Sequence, residues 1–224
     1  VQKKPVHVCG IGLGREVESQ RGETIAEALQ RDVDTVRAAG GIPQINHPNW
    51  KWAFTDAEMR GLRDVRLLEV INANRDCNNA GAGGHPSTEE TWDRLLSAGM
   101  RIWAVASDDT HTYFGDWTPE KACPGRGWVM VRAAELTPAA ITAALERGDF
   151  YASTGVVLKE VRAGEKEYAV EVEPESDYAF TVRFIGRDGR LLEEVHGTKA
   201  AYAVRGDEGY VRAKVVCSSG EVAL

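Results

Sequence analysis

Between Val6 and Thr154 the chain alternates short apolar runs with amphipathic helical patterns, and this alternation restricts the fold more than any other feature. The first run, Val6–Leu13, is broken by glycines. From Thr24 the positions Ile25, Ala28, Leu29, Val33, Val36 and Ala39 recur at helical spacing until Gly40-Gly41 ends the pattern. Ile42–Asn46 reads as a strand. Thr55-Asp56-Ala57-Glu58 has the form of a capping box and opens a short helix. Arg66–Asn72 is a clear strand. Ser87-Thr88-Glu89-Glu90 is a second capping box, ahead of a helix that buries Trp92, Leu95 and Leu96 and stops near Gly99. Arg101–Ala106 and Trp128–Ala133 follow as strands. Thr137 with Pro138 starts a helix that runs to Gly148, and Phe150–Thr154 closes the series. Strands alternating with helices in this way predict βα units around a parallel sheet or barrel.

After Gly155 the pattern changes. Val156–Glu160, Glu167–Val172, Phe180–Ile185, Leu191–Val195, Ala200–Val204 and Tyr210–Cys217 are strand candidates. Gly186-Arg187-Asp188-Gly189 and Gly206-Asp207-Glu208-Gly209 supply turn residues. These features predict a small β-sandwich over 155–224 behind a chemical domain over 1–154. All six Trp and four of the five His (7, 47, 85, 111) fall in that first part, so the chemistry is expected there. A net charge of −7 argues against a broad nucleic-acid or anionic-membrane footprint. No apolar run reaches the ~18–20 residues of a membrane span. Four cysteines without a C-x-x-C read as isolated thiols, which slightly favours a reducing, cytoplasmic setting. Val1-Gln2-Lys3-Lys4-Pro5 lacks a Met and any apolar stretch, so the natural chain is expected to carry more before it.

In βα architectures, ligands and catalytic groups sit just past the carboxyl ends of strands. His47 directly follows the strand 42–46, and Asp109 and His111 follow the strand 101–106. His7 sits in the first apolar run. His and Asp from three segments therefore converge on one face, which is the composition of a metal site. An extended Asp109-Thr110-His111 would put both ligands on one side, and Pro48 is expected to hold His47 extended. Asp108 then points away, as an outer contact or into solvent. Trp50 and Trp52 are candidates for the pocket wall, and His85, in the Gly-rich loop 80–86, is a candidate for its border. Arg75, after the strand 66–72, is the cation nominated for substrate.

Five segments together carry a resemblance: His-Val-Cys-Gly-Ile-Gly (7–12), Gly-Gly-Ile-Pro-Gln-Ile-Asn-His-Pro (40–48), Leu-Glu-Val-Ile-Asn (68–72), Thr-Trp-Asp-Arg-Leu-Leu-Ser-Ala-Gly (91–99) and Ala-Ser-Asp-Asp-Thr-His (106–111). Over about residues 6–155 the chain resembles the second half of a PHP (polymerase and histidinol phosphatase) domain metallohydrolase, of the phosphoesterase subgroup with a C-terminal β-domain. The resemblance implies an α/β fold, the second half of a distorted βα barrel followed by a small all-β, sandwich-like domain. It implies His7, His47, Asp109 and His111 as metal ligands and up to three divalent ions, zinc, manganese or iron. The implied chemistry is hydrolysis of a small phosphorylated or ester substrate by a metal-bound hydroxide. The family's opening H-x-H and Gly-x-Glu precede the position of His7, where this chain has only six residues. A further ~80–100 residues before Val1, completing a ~250-residue barrel-type domain, or a homodimer covering the open edge, is therefore expected. An ester or amide hydrolase, or a non-catalytic metal-binding remnant, are the alternatives.

Overall fold

The computed structural model describes residues 4–118 and 120–224. Of the opening stretch read above, Val1, Gln2 and Lys3 lie outside the described residues. The first sheet has four strands in the order β1 (Val8–Ile11), β2 (Ile42–Ile45), β3 (Leu67–Asn72) and β4 (Trp103–Ser107). β2, β3 and β4 run parallel, whereas β1 pairs antiparallel to β2. Helices α1 (Ile25–Ala38), α2 (Asp56–Met59) and α3 (Thr88–Ser97) cover one face. There Leu29 and Val33 of α1, Met59 of α2 and Trp92 and Leu95 of α3 enclose Ile45, Leu68, Val70 and Ala104. Both expected capping boxes, Thr55 with Glu58 and Ser87 with Glu90, close reciprocally, and Thr24 caps α1 by accepting from the Glu27 N–H. α4 (Pro138–Arg147) packs Ile141 and Leu145 with Ile42, Leu67 and Val105 on the other face. Burial on both faces explains why β3 reads as a nearly unbroken apolar run.

The barrel expectation is overturned here. The described residues form three open sheets and four helices, and the parallel series ends at β4. β5 (Trp128–Val131) and β6 (Phe150–Ser153) pair antiparallel with each other, and β6 continues onto β13 (Val222–Ala223) through Ser153 opposite Ala223. They thereby join β12 (Arg212–Cys217), β9 (Phe180–Gly186) and β10 (Arg190–His196) in a six-stranded antiparallel sheet ordered β10-β9-β12-β13-β6-β5. The expected separate sandwich is corrected for the same reason, since strands from both sides of Gly155 build one sheet. A third sheet, β11 (Lys199–Ala203), β8 (Glu167–Val172) and β7 (Leu158–Ala163), shares an apolar layer with it. Val170, Val172 and Tyr202 there meet Val182, Phe184 and Val215. Among the described residues no helix is long and apolar enough to cross a membrane.

A buried ionic cluster joins α3 to β12. The Arg212 guanidinium grips Asp93 bidentately, with both contacts at 2.7 Å, and also reaches Glu89 at 2.9 Å. The Tyr210 hydroxyl donates to Asp93 at 2.7 Å, and Lys214 pairs with Glu89 at 2.5 Å. Burial alone would raise the Glu89 carboxyl, but Arg212 and Lys214 hold it below its ordinary range. Arg212 also lies over the Trp92 ring, 4.9 Å from its centroid.

A second carboxylate staples the 205–209 turn. Buried Glu208 accepts from the Arg205 and Gly206 N–H groups at 2.6 and 2.8 Å and from the Tyr202 hydroxyl at 3.0 Å. These donors, the Arg205 N–H first among them, hold its carboxyl down at about 2. A depressed pKa stabilises the fold above the unfolded value, ordinarily 4.5, and that contribution is lost as pH falls toward about 2. The melting temperature of the wild-type protein is therefore expected to fall between pH 5 and pH 2.5 more steeply than that of Glu208→Gln. Parallel slopes for the two proteins in thermal denaturation would count against this role.

Candidate functional site

His7 just precedes β1, His47 follows β2 and Asp109 follows β4. Because β1 is antiparallel to the others, all three lie at the same end of the four-stranded sheet. The Asn46 N–H donates to the His7 carbonyl at 3.1 Å, which extends the β1–β2 pairing and sets His7 beside the end of β2. The His7 Nδ1 and His47 Nε2 atoms then face each other at 3.2 Å. Trp50 packs against both rings, with centroids 5.3 Å from His7 and 5.4 Å from His47. Burial and the adjacent His47 push the His7 pKa below its ordinary 6.5, against the opposing pull of Asp109. These surroundings favour the neutral form of His7 over that of a free imidazole.

His47 is not extended, which corrects the expectation drawn from Pro48. Its φ is 23°, because the chain turns at once, with the Trp50 N–H returning to the His47 carbonyl at 3.0 Å. Lys51 and Trp52 also have positive φ, 53° and 50°. Asp109 is left-handed as well, at φ 47°, so the segment is not the extended one expected, although the His111 Nδ1 still lies 3.9 Å from Asp109 Oδ1. The same Nδ1 sits 2.6 Å from the Asp109 carbonyl oxygen, and the His111 side chain is 69% exposed. Strained backbone of this kind persists where surrounding structure over-determines it, and it clusters at functional sites.

The other nominees sit further out. His85 stacks on Trp52 with centroids 4.3 Å apart, forming an outer wall. Arg75 is exposed and reaches Glu120 at 4.0 Å. Asp108, read as an outer contact or solvent group, accepts from three successive N–H groups, Gly125, Arg126 and Gly127, at 2.9, 2.6 and 2.8 Å. This clasp brings the far end of the 109–127 loop back to β4. A Cβ on Gly127 would lie 2.8 Å from the Ser107 carbonyl oxygen, so only glycine fits there.

Sequence reasoning passed over Glu69. Only 1% exposed, it lies under the histidine pair and accepts from the His47 N–H at 2.6 Å, from Asn72 Nδ2 at 3.0 Å and from the Ser107 hydroxyl. A charged residue inside an apolar, doubly covered strand was the available signal. Burial, with Glu69 and Asp109 adding to it, pushes the Cys77 thiol up to about 12. Burial and Glu69 likewise raise Cys9. The carboxylate of Glu69 thus disfavours the thiolate form of both cysteines near this face.

The donor set suits a cation. Two nitrogens bound at ~2.0–2.1 Å to one tetrahedral ion lie about 3.3 Å apart, close to the 3.2 Å between His7 and His47. Among the described residues, no group of three or more His, Cys, Asp or Glu side chains stands ready to hold a metal ion. The histidine pair therefore offers two ring nitrogens, with Asp109 near enough for its charge to act on His7. The chain matches no described family, no curated protein and no solved structure.

Proposed function

We propose that this chain is part of a metal-dependent hydrolase of PHP type that cleaves small phosphoesters. The observation that carries the reading is the 3.2 Å pair of ring nitrogens from His7 and His47, set beside Asp109 on one face of the sheet. His7, His47 and Asp109 would hold a zinc, manganese or iron ion. When bound, such an ion lowers the pKa of water toward ~7 and neutralises phosphoryl charge. The chain's own part is to present and orient these groups. Trp50 packs beside both rings of the histidine pair, and Lys51, 4.4 Å over the Trp50 ring, supplies a cation at the rim. Arg75 is the outer candidate for a substrate oxygen.

The purified full-length protein is expected to release p-nitrophenol from p-nitrophenyl phosphate or bis(p-nitrophenyl) phosphate when Mn²⁺ or Zn²⁺ is added. Preference for p-nitrophenyl acetate would move the reading to an ester hydrolase. Silence on all three, with each metal, would overturn it. A second reading, a non-catalytic metal-binding module, is favoured by the incomplete ligand set among the described residues. Stoichiometric metal in the silent protein would support that module.

A further inference from the structure

We propose that Glu69 is the positioning residue of this centre, a single buried carboxylate that fixes the ends of three strands at once and places negative charge behind the histidine pair. The inference rests on the metal-centre reading above and assigns a role to a residue outside its ligand set.

The three donors to Glu69 come from three different places. The His47 N–H lies just past β2, Asn72 ends β3, and Ser107 ends β4, two residues before Asp109. One side chain therefore sets the turn that aims the His47 ring and the strand end that launches Asp109. All three partners are neutral donors, so they satisfy the carboxylate oxygens without cancelling the charge. Glutamine can keep its carbonyl on the His47 N–H and Asn72 and donate its NH₂ to the Ser107 hydroxyl, so Glu69→Gln removes chiefly the charge. A framework role alone would be met more cheaply by a neutral acceptor, because an ionised carboxylate resists burial. A carboxylate is what the position calls for if a cation binds a few ångströms away. Groups that orient metal ligands from behind typically alter metal affinity 10–100-fold when changed.

The test measures Zn²⁺ affinity calorimetrically on the full-length chain, alongside the melting temperature without metal. Glu69→Gln is expected to bind Zn²⁺ about 10–100-fold more weakly than wild type. In a His47→Ala background the same change is expected to cost less than about threefold, because its main route of action is gone. An equal loss in both backgrounds marks a merely structural role and overturns the proposal, as does wild-type affinity in Glu69→Gln. Should Glu69→Gln fail to fold, Ser107→Ala removes one donor and leaves the charge and two bonds in place. A several-fold weakening supports the proposal and an unchanged affinity overturns it. If wild type binds no Zn²⁺, the metal-centre reading itself falls, and the proposal with it. Wild-type binding that Glu69→Gln leaves untouched removes the proposal alone.

Discussion

Asp109→Asn is expected to lower metal-dependent phosphoester hydrolysis by roughly 10³-fold in kcat/KM while leaving the melting temperature within about 2 °C of wild type. The size follows from the several kcal/mol of charge stabilisation that a bound ion supplies, at about 1.4 kcal/mol per tenfold. Asparagine is the informative choice because Asp109 has φ 47°, a conformation that Asn tolerates and most residues resist. The substitution removes the charge without adding strain. His47→Ala is expected to match it in activity, since it removes one of the two nitrogens 3.2 Å apart. Steady-state kinetics at saturating Mn²⁺ checks both, and activity within tenfold of wild type for either would remove that residue from the centre. The depressed His7 pKa adds a pH signature. His7 stays neutral to below its ordinary 6.5, so the acid limb of the metal-loaded profile is expected below that value.

Asp93→Ala is expected to destabilise the protein by about 3–5 kcal/mol, because it takes the bidentate partner from buried Arg212 and leaves it only the single contact to Glu89. Arg212 is 6% exposed and Asp93 5%, so water cannot take over the lost contacts. Two of the three side-chain bonds made by Arg212 go to Asp93, and the Tyr210 hydroxyl loses its acceptor as well. A loss of this size is a large share of a typical 5–15 kcal/mol total and corresponds to a fall of roughly 10 °C in melting temperature. Adding Arg212→Met is expected to recover much of it, because the methionine keeps apolar volume over Trp92 while removing the orphaned charge. Chemical denaturation of the two single variants and the double one measures that coupling, and additive losses would show that the residues act independently.

What could be read from the sequence was local. Thr55 with Glu58, Ser87 with Glu90, and Thr137 with Pro138 mark helix starts through bonds that span three or four residues. β3 reveals itself by its apolar run. The partner of a strand is a different matter. Phe150–Ser153 looks the same whether it lies in a parallel barrel or pairs with β5 and β13, and the choice depends on contacts with residues around 223. The expected barrel failed at that point. For the site, residue types and strand ends located His7, His47 and Asp109, but not their backbone state. The turn at His47 depends on a carboxylate twenty-two positions away, which the effect of Pro48 on its neighbour does not reveal.

The pairing of Ser153 with Ala223 also dictates an order of events during synthesis. β5 and β6 emerge from the ribosome well before β13, and Ala152 exchanges backbone hydrogen bonds with Leu224 only once that late segment arrives. Until then β6 has only β5 beside it, while the parallel strands and α1–α3 can already assemble on contacts closer in sequence. Long-range pairing of this kind slows folding, so the nascent chain passes through a stage with an unfinished antiparallel edge. In this protein that stage falls after the sheet end that carries His7 and His47 can form and before the second half of the molecule can brace it.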